Sequence, residues 1–161
     1  MSVGPVAMPS KTDGGAPATA YDWLHTAERH LQDARTLKTR GGSSEAVFHY
    51  AGLAVECALK AVIMKRERWN QWPSRAREPK LHKHDLKRLL KRAGLNGEME
   101  AEKRLGTDLA ANWGVVMRWD NNRPRYPHGA MPSRVATDMF RAVAHHRDGV
   151  FTWLQQIFRR S

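Results

Sequence analysis

Cysteine is almost absent from this chain: its 161 residues include one, Cys57. A single thiol builds no disulfide framework and supplies no cysteine-based zinc site. Cys57 lies in the apolar run Leu53-Ala54-Val55-Glu56-Cys57-Ala58-Leu59. That is the setting of a small buried hydrophobe rather than of an activated nucleophile, and it fits a reducing, cytoplasmic compartment. No run approaches ~18 consecutive apolar residues, so no membrane-spanning helix is expected. Met1 to Pro9 have neither the basic nor the long apolar stretch of a secretory signal. Acidic residues are also scarce: 16 Asp and Glu stand against 27 Lys and Arg, a net charge of +11. An excess of this size attracts polyanions, and RNA or a nucleotide is the partner class it favours.

What is present is helical periodicity. The length suits one domain with its own core. Residues 1–18 carry Gly, Pro, Ala, Ser and Thr with almost no large hydrophobes, which predicts a disordered leader ahead of a domain over 19–161. Trp23, Ala27, Leu31, Ala34 and Leu37 recur at steps of three and four, predicting a helix over 20–39 that Gly41-Gly42 stop. A nearly continuous apolar stretch predicts a core helix over 44–68, too long for a strand. Residues 69–82 form a basic, Pro-rich loop bearing Trp69 and Trp72. A short helix is expected over 85–93, a longer one over 97–118, a turn-rich break over 120–129 and a last helix over 133–159. With no strand pattern and no internal repeat, the expected fold class is all-α: an antiparallel bundle of four long helices plus one short one.

Two polar clusters interrupt this pattern. His49, Glu56 and Lys60 are spaced by seven and four, placing them on one face of the core helix. A carboxylate in so apolar a run needs a partner. Either Glu56 pairs with Lys60 or a facing Arg as a structural lock, or it anchors a functional polar pocket. The second cluster is His82-Lys83-His84-Asp85, where Asp85 stands at a helix N-cap position. His82 and His84 alternate by two, and with no partnering cysteine no metal site is expected.

These clusters carry a family resemblance. Tyr50-Ala51-Gly52-Leu53-Ala54-Val55-Glu56-Cys57-Ala58-Leu59-Lys60-Ala61 resembles the second helix of prokaryotic HEPN domains (higher eukaryotes and prokaryotes nucleotide-binding). His84-Asp85-Leu86 with Ala93-Gly94-Leu95, then Asn112-Trp113 with Trp119 and Arg125-Tyr126, are similar to that family's later signatures. They occur in the family's order over roughly residues 20–158. The resemblance implies a bundle of four to five helices that dimerises. It implies a role among ribonucleases, toxin–antitoxin or defence components, or partners of nucleotidyltransferases. Catalytic members carry Arg, a polar residue, then His after four to six intervening residues. They need neither metal nor cofactor: His acts as acid and base, and Arg stabilises the phosphorane-like charge at a dimer cleft.

Two stretches have that spacing, Arg123 to His128 and Arg141 to His146, with Pro124 and Ala142 where a polar residue is expected. In a continuous helix Arg141 and His146 point about 140° apart, and His146 falls on the apolar stripe. The expected catalytic pair of an endoribonuclease is therefore Arg123 and His128. Glu56, Lys60, His49, His84, Asp85, Arg125 and Tyr126 form the expected polar pocket, and Trp72, Arg75 and Arg77 the expected nucleic-acid contacts. The alternative is a non-catalytic, dimerising interaction module.

Overall fold

The computed structural model describes residues 17–119, 126 and 130–161. Helix α1, Ala20–Thr39, opens on a capping box: the Thr19 hydroxyl accepts the Asp22 N–H, and the Asp22 carboxylate accepts the Thr19 N–H. Its buried positions Trp23, Ala27, Leu31 and Ala34 follow the periodicity that predicted it. The Ser43 hydroxyl accepts the Ala46 N–H and starts α2, Ser44–Glu67, which ends on Arg68 in the left-handed region (φ 56°).

Helix α2 is the axis of the molecule. It packs against α1, α3 (Leu86–Arg92), α6 (Ser133–Ala144) and α7 (Val150–Arg160). Its residues from Ala54 to Met64 are all buried. Over an 18-residue window its mean hydropathy reaches 1.5, apolar enough to cross a membrane, although the sequence shows no unbroken apolar run of that length. In this fold 78% of that window is covered by neighbouring helices, which is what a core helix requires.

The bundle is all-helical, and the described residues contain no strand. Two of the expected long helices are each divided. The segment expected as 97–118 is α4, Asn96–Leu105, and α5, Asp108–Val116. Gly106 in the left-handed region (φ 64°) ends α4, and the Thr107 hydroxyl caps α5 through the Ala110 N–H. The segment expected as 133–159 breaks at His145–Gly149 between α6 and α7. Among the described residues the count is thus seven α-helices and a 3₁₀ turn, Pro79–His82, rather than four long helices and a short one. Residues 1–16, where the leader was expected, lie outside the described residues.

Gly52 shows why α2 carries small residues. A Cβ at this position would overlap the Trp119 indole, at Cδ1, Nε1 and Cε2, so the ring lies directly on the helix backbone. Gly52→Ala is expected to displace Trp119 and to cost about 1–3 kcal/mol through overpacking. Urea denaturation reads the loss, and a shift in tryptophan emission reports the displaced ring.

Candidate functional site

The carboxylate of Glu56 is 2% exposed, and both of its oxygens are taken. Lys60 Nζ lies 2.8 Å from Oε1, and His84 Nδ1 lies 2.8 Å from Oε2. Lys60 is itself buried; its ammonium stands 4.7 Å from the Trp23 ring centroid and 5.5 Å from that of Trp72. The i,i+4 spacing brings Lys60 to Glu56 within one helix, whereas His84 arrives from the loop ahead of α3. The cluster therefore fastens that loop to the core helix. His49 sits two turns away along α2, its ring 6.2 Å from that of Trp119, and the His84 ring meets the same indole edge-on at 6.4 Å.

Of the residues expected in this pocket, the structure brings together Glu56, Lys60 and His84, with His49 beside them. Asp85 is spent elsewhere, as the N-cap of α3 accepting the Arg88 N–H. Tyr126 is half-buried, and Arg125 lies outside the described residues. With both oxygens engaged and side-chain exposures of 3% for Glu56 and 10% for Lys60, the Glu56–Lys60 pair is a sealed lock, while His84, 37% exposed, reaches it from the surface. The neighbouring thiol is sealed too: burial pushes Cys57 up to about 12, so it stays protonated and inert.

Burial also shapes two histidines. It holds His49 below the ordinary histidine value, with the charge of His84 adding to the effect and Glu56 opposing it. It lowers His30 as well, helped by Arg29 and His49 and opposed by Asp33 and Glu56. The Nδ1 of His30 is buried without a hydrogen-bond partner among the described residues. In the unfolded chain both rings take up a proton as pH falls below about 6.5; in the fold they resist it. Their contribution to stability is therefore complete above that pH and lost as pH falls through their lower folded values. The melting temperature is expected to drop between about pH 7 and about pH 5. A His30→Gln, His49→Gln double variant should show a shallower slope.

The basic loop contributes differently from the expected stacking platform. Trp72 is half-buried, 5.3 Å from Trp23 and 6.1 Å from Trp69, so its ring serves the core. Arg77 and Arg92 flank Trp69 at 5.9 and 5.4 Å. Arg75 is exposed.

A surface cavity of about 330 Å³ lies between α1 and α6. Helix α1 supplies Arg35 and Lys38; α6 supplies Thr137, Phe140, Arg141 and Ala144; the turn after α6 supplies His145 and His146. Arg35 and Lys38 reach over the Phe140 ring at 5.6 and 5.8 Å, which orients both cations along the cavity. The lining holds three permanent cations, two imidazoles and no carboxylate, a composition suited to phosphate.

The His145–Gly149 turn is braced from three sides. Asn112 of α5 donates its side-chain N–H to the Asp148 carbonyl at 2.8 Å, and Thr152 of α7 donates its hydroxyl to the His145 carbonyl at 2.8 Å. Within the turn, His145 Nδ1 accepts the backbone N–H groups of Arg147 and Asp148 at 3.3 and 3.1 Å, which leaves the ring proton on Nε2. A Cβ on Gly149 would lie 2.5 Å from the His145 carbonyl oxygen, so only glycine allows so tight a return.

This turn overturns the placement of His146 on an apolar stripe. The side chain is exposed, and because the helix stops at Ala144, Arg141 and His146 line one cavity instead of diverging. Arg35 and Lys38, which look in sequence like ordinary solvent-facing helix residues, are the cations that sequence reasoning missed. The other pair with this spacing, Arg123 and His128, lies outside the described residues.

The model of the HEPN domain family matches residues 20–145. No curated protein and no solved structure matches the chain.

Proposed function

The chain belongs to the HEPN domain family, a family of nucleotide-binding and RNase-type domains, and we propose that this member binds RNA and cleaves it without a metal ion at the cavity between α1 and α6. The observation that carries this reading is the meeting of Arg141 and His146, separated by four residues in sequence, in one cavity with Arg35 and Lys38. In the proposed reaction His146 takes the proton of a ribose 2′-hydroxyl. The 2′-oxygen then attacks the adjacent phosphorus, the bond from phosphorus to the 5′-oxygen breaks, and that oxygen leaves with a proton from imidazolium. The guanidinium of Arg141 holds the non-bridging oxygens as their charge grows. Arg35 and Lys38 hold flanking phosphates.

The proposal includes a homodimer, with the two cavities facing a shared cleft, and a toxin–antitoxin or defence setting. A second reading has its own observation. Ala142 follows Arg141 where a polar residue is expected, which favours a non-catalytic module that dimerises and docks a nucleotidyltransferase or other effector.

Labelled RNA incubated with the purified protein in EDTA separates the two. The nuclease reading expects fragments ending in 2′,3′-cyclic phosphate, and an all-2′-deoxy strand that stays whole. RNA left intact in that assay, by protein that is folded and dimeric, sinks the nuclease and leaves the module.

A further inference from the structure

The charge of this protein is concentrated in one stretch. Residues 66–92 hold ten Lys and Arg against three acids, Glu67, Glu78 and Asp85, an excess of seven out of the net +11 of the chain. The acids have partners: Glu67 and Glu78 both lie beside Arg92, at 2.8 and 3.7 Å, and Asp85 pairs with Arg88 at 3.7 Å while capping α3. Lys80, Lys83, Lys87 and Lys91 are all exposed and make no ion pair among the described residues. Leu86, Leu89 and Leu90 bury the opposite side of α3 in the core, which turns Lys87 and Lys91 outward, one above the other and ~6 Å apart along the axis. Lys80 lies in the 3₁₀ turn and Lys83 directly after it, so they lead into α3 from the same loop.

We infer that Lys80, Lys83, Lys87 and Lys91 form a second RNA-binding surface, which follows the phosphate backbone and holds RNA without cleaving it. Four lysine ammonium groups offer cations for phosphate oxygens and no base for a ribose hydroxyl, so the surface supplies affinity and not chemistry. A protein partner is the weaker match. Interfaces between proteins are depleted in lysine and depend on buried aromatic or aliphatic anchors. Among the described residues the exposed large hydrophobes are Tyr21 and Leu105, neither of them in this stretch. Phosphate contact needs only the cations.

The test is fluorescence anisotropy with a labelled RNA of about 20 nucleotides, across a salt series, on four proteins. The quadruple variant Lys80→Gln, Lys83→Gln, Lys87→Gln, Lys91→Gln should bind more weakly, and its log K against log salt slope should flatten by about 3, for four contacts at ~0.7 each. A charge-matched control, Arg40→Gln, Arg104→Gln, Arg134→Gln, Arg159→Gln, should keep the wild-type slope to within about one contact. His146→Ala should bind as the wild type does, so loss of cleavage in the nuclease assay and loss of this surface are read separately. Because all four lysines are exposed, the quadruple variant should melt with the wild type; should it not, Lys87→Gln, Lys91→Gln alone carries the comparison, with about half the change in slope. A slope unchanged in both variants, an equal loss in the control, or binding of an acidic polypeptide in place of RNA would each overturn the inference.

Discussion

Replacing Glu56 with alanine is expected to remove about 3–5 kcal/mol of folding stability, a large share of the ~5–15 kcal/mol that a domain possesses. The magnitude follows from what is left behind. Lys60 would be left at a buried position against Trp23 and Trp72 without the carboxylate that it pairs with. His84 would lose the contact that ties the loop to α2. Urea denaturation measures the loss. A matched apolar pair, Glu56→Leu with Lys60→Met, should recover most of it, because the penalty belongs to the orphaned charge and not to the missing attraction. A loss below about 1 kcal/mol in Glu56→Ala would mean that the pair behaves like an exposed one, and the sealed geometry would be wrong.

The second large effect is catalytic. His146→Ala should lower RNA cleavage about 10²- to 10⁴-fold, the range for loss of a general acid or base. Its stability should barely change, since the side chain is exposed and beyond the last residue of α6. Asn112→Ala bears on the same turn from a distance, by removing the hydrogen bond to the Asp148 carbonyl. That change should reduce cleavage less than loss of the imidazole does, with binding of RNA preserved.

Much of the frame was legible in the residues. Helix α1 spans the 20–39 that its spacing and Gly41-Gly42 predict, and Trp23, Ala27, Leu31 and Ala34 are buried in the order of that spacing. The Glu56–Lys60 contact is an i,i+4 pair, visible without a structure. Its third member was harder, because no local rule links Glu56 to His84 across 28 residues of chain; only packing does.

The break after Ala144 shows the limit of periodicity. Val143 and Val150 are both buried, each in its own helix, and seven residues equal about two helical turns. The apolar stripe therefore runs through a turn that interrupts the helix. The signal against a continuous helix was Gly149, whose missing side chain permits the return. Arg35 and Lys38 become site residues only when α6 lies beside α1, a relation that no motif encodes.

The most direct test places three proteins side by side in EDTA with the same labelled RNA: wild type, His146→Ala and His128→Ala. The account predicts cleavage by the wild type and by His128→Ala, and none above background by His146→Ala. Cleavage retained by His146→Ala and abolished in His128→Ala would contradict it, and would move the chemistry from the cavity between α1 and α6 to the segment that holds Arg123 and His128.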